Sequence, residues 1–463
     1  MERLAGLPYW DLHFSEDGDL VAGSVEELLR EGRDEGLTDL VVMSHGWNTG
    51  TDDATALYTS LGTLVADQVG HAPRVGRLGF VGVHWPAVWW PDAPATGPGA
   101  ARAGDAMTSG AATSGAGPDP AAVLDASGAE LAAALQPGFR RDDQRAALGE
   151  LGRLIDEGEA AAARGREPEA VQRERLAEFH RLLTDLLPPG NAPAEDAGEE
   201  RFLDRDDPEA FVELARAFGS VPEGGAAQGA GDLFRTVWKG AKDGLRVFSY
   251  YTMKARAGVV GRRGLGAALV RLHAPDGLPD VRVHLVGHSF GGRLVSFALA
   301  GIPSADASPV ASLVLIQAAF SHFAFATAKG NPFGTQGALR EYADRVHGPL
   351  VATWSRHDWA VGRWYPKASA LARQDNQDDP AVSRWGALGA GGFQAVHPLE
   401  PVDLLDAGQE YPFSAGCYYA VDGSEVIDDW RQSAFSGAHS DIRRPEVAWL
   451  VVAAAGATAP APR

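Results

Sequence analysis

Val281-Arg282-Val283-His284-Leu285-Val286-Gly287-His288-Ser289-Phe290-Gly291-Gly292 decides the fold. An apolar run long enough for one buried strand enters Gly-x-Ser-x-Gly, and a helix-compatible stretch, Arg293 to Leu299, follows. Strand, tight turn and helix in this order are the context of a nucleophile elbow, in which a serine sits on a sharp turn at the end of a buried strand. So tight a turn leaves no room for neighbouring side chains, and Gly287 and Gly291 meet that need.

Upstream, Leu40-Val41-Val42-Met43 and Leu78 to Val83 are short, all-apolar runs, as expected of parallel strands covered on both faces. Ser24 to Arg33 and Ala54 to Val69 carry helical periodicity between and before them. Tyr9 to Phe14, a Glu16-Asp17-Gly18 turn and Leu20-Val21 read as a hairpin. Downstream, Ser312 to Gln317, Leu350 to Trp354 and Tyr418 to Val421 read as further strands, and Pro445 to Ala455 as a terminal helix with proline in its first turn. Strands alternating with helices imply an α/β fold: a mostly parallel central sheet with helices on both faces.

One interval breaks the rhythm. About two hundred residues separate Val83 from Val281, where a crossover needs only a dozen or more. The core is therefore expected to span 1–90 and 231–457, with an insertion at 91–230. Within it, 91–128 is Ala/Gly/Pro/Ser/Thr-rich and reads as a flexible low-complexity loop. The rest, 129–230, carries Leu148, Leu151, Leu154 and Ile155, then Leu182, Leu183, Leu186 and Leu187, then Phe211, Leu214 and Phe218 at helical spacing, and reads as a helical cap. A stripe from Phe234 through Trp238 to Tyr251, accompanied by Lys239, Lys242, Arg246, Lys254, Arg262 and Arg263, is either a helix packed on the sheet or a lid that touches a membrane surface.

A serine hydroxyl needs a base, and the base needs a carboxylate to orient it. After an elbow the partners follow in the order Ser, Asp/Glu, His. Ser289 is thus the expected nucleophile. Asp358, just past Leu350 to Trp354, is the expected acid, and His439, before the terminal helix, the expected base. His357 adjoins the acid but lies on the wrong loop; His322, His347 and His397 read as ordinary polar residues. A tetrahedral intermediate needs two N–H donors. Phe290, after the nucleophile, supplies one, and Trp47, in the loop His45-Gly46-Trp47-Asn48 after Met43, supplies the other. His45, Gly46 and Asn48 would support that loop, as Gly287 and Gly291 support the elbow. Trp47, Trp85, Trp89, Trp90, Phe290, Phe320, Phe323, Trp359 and Trp364 would make an apolar rim, which favours a small-molecule or lipid ester.

On these motifs the chain resembles the α/β-hydrolase superfamily over roughly Tyr9 to Trp90 and Leu233 to Ala455. The His-Gly-Trp-Asn loop is also similar to that of uncharacterised, lipase-like branches carrying His-Gly-Phe-Asn. Many members carry their cap after the strand that follows the nucleophile helix; here it would precede the nucleophile, so their substrates are not carried over. The resemblance implies a serine esterase or lipase. The same triad also serves amidases, thioesterases and acyltransferases, and a non-catalytic scaffold on the same frame is the alternative of another class.

The 463 residues carry 41 Lys and Arg against 61 Asp and Glu, a formal charge of −20. Such a surface repels phosphate backbones, so no nucleic-acid partner is expected, and it opposes docking on anionic membranes. The single cysteine, Cys417, cannot form an intrachain disulfide. No signal-like or membrane-spanning segment is legible, so the expectation is a cytoplasmic protein. No zinc-protease or phosphate-loop motif is present, and neither cofactor nor metal is expected.

Overall fold

The apolar runs assemble into one ten-stranded sheet. The structure, a computed structural model, describes residues 2–47, 49–87, 127–136, 139, 141–164, 167–186, 238, 252–332, 334–361, 386–432 and 437–457. The strands are β1 (Glu2–Leu4), β2 (Leu7–Phe14), β3 (Leu20–Ala22), β4 (Asp39–Ser44), β5 (Leu78–His84), β6 (Arg282–His288), β7 (Val310–Ile316), β8 (Leu350–Trp354), β9 (Leu399–Asp403) and β10 (Tyr418–Asp422). Their order is β1-β2-β5-β4-β6-β7-β8-β10-β9, with β3 also paired to β2. β1 and β3 run antiparallel to β2; every other pairing is parallel.

Alternation along each strand divides the apolar side chains between two layers. On β4, Val41 and Met43 join a core with Leu57, Leu61 and Val65 of α2 (Thr51–Gln68) and Val447, Leu450 and Val451 of the terminal helix. Leu40 and Val42 point the other way and line a small apolar cavity with Leu28, Leu269 and Leu272. Leu28 belongs to α1 (Val25–Glu35), which starts where the Ser24 hydroxyl accepts the Glu27 N–H and stops at left-handed Gly36. Leu269 and Leu272 end a helical stretch, 252–272, that contains a π-helical turn at Val260–Leu265.

From β4 the chain passes through α2 to β5 on one side. β6 lies on the other side of β4 and leads into a helix that returns to β7. The connections after β4 and β6 therefore leave in opposite directions at the strands' carboxyl ends, where such sheets place ligands.

β1 and β9 add to the strands read from the sequence. β9 pairs only with β10, is mostly exposed and carries Pro401. Such an edge strand lacks the apolar signature, and proline is tolerated there because one side needs no ladder bond.

By internal contacts the chain divides into two units. One comprises Met1–Ala87, Lys254–Tyr365 and Gln377–Arg463, and holds the whole sheet; the other comprises Val88–Met253 and Pro366–Asn376. In the second, α3 (Gly128–Leu135), α4 (Asp142–Arg164) and α5 (Glu169–Leu186) pack together. Trp238 lies over Gly158, where a methyl group would meet the indole at 2.0 Å, and its Nε1–H donates to Gln172 Oε1 at 2.8 Å. The stretch expected to be a flexible loop, 91–128, lies outside the described residues up to 126. Leu187, Phe211, Leu214, Phe218 and all of the basic stripe except Trp238, Lys254, Arg262 and Arg263 lie outside them too.

Candidate active site

The elbow is built by close approach. Ser289 follows β6 directly and precedes α6 (Phe290–Leu299); its φ of 56° and ψ of −124° are costly for any residue with a Cβ. Three backbone bonds hold it there: its N–H donates to Ile316 O, and its carbonyl accepts from Gly292 and Ala319. A side chain at Gly291 would collide with Ser44 O at 2.1 Å, and one at Gly287 with the Gly292 Cα at 2.4 Å. Both glycines are therefore required by space.

The loop after β4 lies against this serine. A methyl group at Gly46 would stand 2.7 Å from Ser289 Cβ and 3.3 Å from its Oγ. The Trp47 ring tilts against the Phe290 ring at 6.2 Å, so the two residues expected to stabilise an oxyanion are neighbours. Asn48 lies outside the described residues.

His45 fixes the loop from behind. Its N–H donates to Tyr58 Oη, which donates to Val83 O; its carbonyl accepts from Trp85 Nε1–H. The Trp85 N–H donates to His45 Nε2, which assigns the ring proton to Nδ1, donating to Gly46 O at 3.0 Å. Burial pushes the His45 pKa down to about 3, against the Gly46 bond, so the ring is neutral near pH 7.

Asp358 and His439 come from loops 81 residues apart in sequence and meet at 2.7 Å, carboxylate Oδ2 to ring Nδ1. The two loops are zipped together: Asp358 and Gly437 form an isolated antiparallel bridge, and the Ala438 N–H donates to His357 O. Gly437, at φ 59°, passes so close that a side chain would meet His357 O at 2.3 Å. The His439 loop is also tied to the elbow. His288 Nε2–H donates to the His439 carbonyl at 2.9 Å, and the two rings lie 4.9 Å apart. Burial, then the neighbouring His439, holds the His288 pKa at about 3.

Two residues not singled out in the sequence complete the constellation. Gln317, fully buried and at a positive φ of 45°, donates from Nε2 to Asp358 Oδ2 at 2.9 Å; its Oε1 accepts from Thr353 Oγ1. The Val361 N–H donates to Asp358 Oδ1. The carboxylate is thus oriented on both oxygens. His288 is the other residue; it occupies the variable position of the Gly-x-Ser-x-Gly motif, whose pattern carries no information about it. His357 is not part of the constellation, and its Nε2 accepts from Arg356. His347 bonds Ser308 O, and His397 is exposed. Of the expected aromatic rim, Trp85, Phe290, Phe320 and Phe323 are buried, while Trp47 and Trp359 are half-buried; Trp89, Trp90 and Trp364 lie outside the described residues.

Comparison with protein-family models, curated proteins and solved structures finds no match to this chain.

Proposed function

We propose that the protein is a serine hydrolase with an α/β-hydrolase fold, cleaving carboxylic esters through an acyl-enzyme. One observation carries this reading: the His439 ring is bonded through Nδ1 to buried Asp358, while its carbonyl is bonded to His288, the residue before strained Ser289.

Ser289 Oγ attacks the ester carbonyl as His439 Nε2 takes its proton. Asp358 fixes the ring so that Nε2 is the free base and stabilises the imidazolium that forms. The N–H groups of Phe290 and Trp47 stabilise the oxyanion, brought to the serine by Gly46. His439 returns the proton to the departing alcohol, and water then cleaves the acyl-enzyme by the same relay. Trp47 and Trp359 offer apolar surface for the acyl or alcohol group.

The test is hydrolysis of p-nitrophenyl esters from acetate to palmitate, beside labelling by a fluorophosphonate. Wild type should be active and labelled. Ser289→Ala should lose both, with kcat down by at least about a thousandfold. Labelling without turnover of any ester would redirect the reading to an amide, thioester or acyl-transfer substrate. Absence of both labelling and turnover in wild type would overturn it.

A further inference from the structure

A second cluster of chemically capable side chains lies on β2 and β5 and takes no part in the proposed hydrolysis. Asp11 and His13 are two residues apart on β2, so both leave the same face of the sheet. His84 pairs with His13 in the parallel register and shares that face. One ligand atom from each of Asp11, His13 and His84 lies within 4.8 Å of the other two.

The recess is built. Gly82 pairs with Asp11, and a Cβ there would stand 2.8 Å from Asp11 Oδ1, 2.7 Å from Tyr9 Oη and 2.5 Å from the Tyr58 ring. The carboxylate and the phenol therefore fold over bare backbone that any other residue would fill. The Tyr9 hydroxyl donates to Asp11 Oδ1, the kind of outer contact that fixes a ligating carboxylate. His84 is 97% buried, with Nε2 2.7 Å from Asp11 Oδ1, while its Nδ1, also buried, has no hydrogen-bond partner. A buried ring nitrogen in that state calls for an explanation. The His13 ring stacks on His84 at 4.2 Å and is half-buried.

Two imidazoles and one carboxylate are a nitrogen-rich donor set. Calcium and magnesium prefer all-oxygen shells, and no thiolate is at hand for softer ions. We infer that Asp11, His13 and His84 form a three-ligand site for a divalent first-row transition ion, for which Zn²⁺ is the best fit. Such an ion clamps β2 to β5. His84 also meets the Tyr58 ring edge-on at 5.2 Å, and Tyr58 bonds the backbone of His45, so the clamp stiffens the wall behind the Gly46 loop. Its role is structural, and it does not depend on the hydrolase reading.

The experiment uses tag-free full-length protein, stripped with chelator and titrated with ZnCl₂ by calorimetry. A parallel titration with Co²⁺ is read by visible absorbance. Wild type should bind one equivalent, gain thermal stability with Zn²⁺ and show a Co²⁺ ligand-field band. His13→Ala and Asp11→Asn, folded by circular dichroism, should each weaken Zn²⁺ binding at least tenfold and flatten the band. His397→Ala, at an exposed histidine elsewhere, should change neither. Absence of stoichiometric binding to wild type would overturn the site. So would unchanged affinity in both ligand variants, or equal loss in the control.

Discussion

Ser289 and Gln317 show how single residues carry strain for the sake of geometry. A Cβ at φ 56°, ψ −124° costs about 1–3 kcal/mol. Glycine relieves that cost but loses roughly 0.5–1 kcal/mol of backbone entropy. Ser289→Gly should therefore be more stable than Ser289→Ala by about 1 kcal/mol in urea unfolding, with both inactive; equal midpoints would show the elbow is unstrained. Gln317 donates the side-chain bond that reinforces Asp358 alongside His439. A hydrogen bond to a charged group contributes about 1.5–3 kcal/mol. Gln317→Met should lower kcat roughly 10- to 100-fold, leave KM nearly unchanged and keep the fold. A loss below twofold would mean that Val361 and His439 suffice to hold the carboxylate. Gly46→Ala tests the proposed oxyanion loop. Its methyl group forces the loop away from Ser289, so kcat/KM should fall by about 10²–10³ with little change in melting temperature.

Among the elements, the feet of the central strands are joined by a buried polar network. Asp39 of β4 accepts from Arg282 and His284 of β6 through Oδ1, and from Thr38 and Gly76 through Oδ2. His284 passes the contact on to Ser312 of β7. Burial alone would raise the Asp39 pKa, but the bonds from His284 and Thr38 outweigh it and leave it at about 2. Burial also drives the His284 pKa down, so its Nε2 acts as a neutral donor. A depressed carboxylate stabilises the fold above its unfolded pKa, and that stability is lost as pH falls through the folded value. The lowered pKa corresponds to about 2 kcal/mol. Asp39→Asn should cost at least that at pH 7, with the gap to wild type closing between about pH 4 and pH 2. A gap independent of pH would assign the loss to packing instead.

The central strands were legible because burial on both faces leaves an unbroken apolar run, as in β4 and β6. The positions of Ser289 and Asp358 were legible because each follows a strand end that the pattern marks, and that of His439 because it precedes the terminal helix. β9 was not, since an exposed edge strand with a proline has no periodicity to read. Gln317 and the Asp11, His13 and His84 group were not either. A lone glutamine at a strand end carries no local signal, and the three ligands meet only once β2 and β5 are set in register.

At the scale of the molecule, a charge of −20 makes the surface repel itself. Screening should relieve this, so the melting temperature is expected to rise by a few degrees between 10 mM and 500 mM NaCl, as a thermal scan would show. A fall would mean that surface ion pairs such as Arg153 with Glu150 outweigh the net repulsion. No helix among the described residues is long and apolar enough to cross a membrane. The bond from His288 to the His439 carbonyl spans 151 residues, and the bridge of Asp358 with Gly437 joins the segment after β8 to the one after β10. Contacts so distant along the chain form late, because loop closure must be met before they reward it. Refolding should therefore be biphasic in its readouts, with helical ellipticity, which rests on local bonds, returning ahead of fluorophosphonate reactivity. Labelling of Ser289 would then serve as a clock for the final stage of folding.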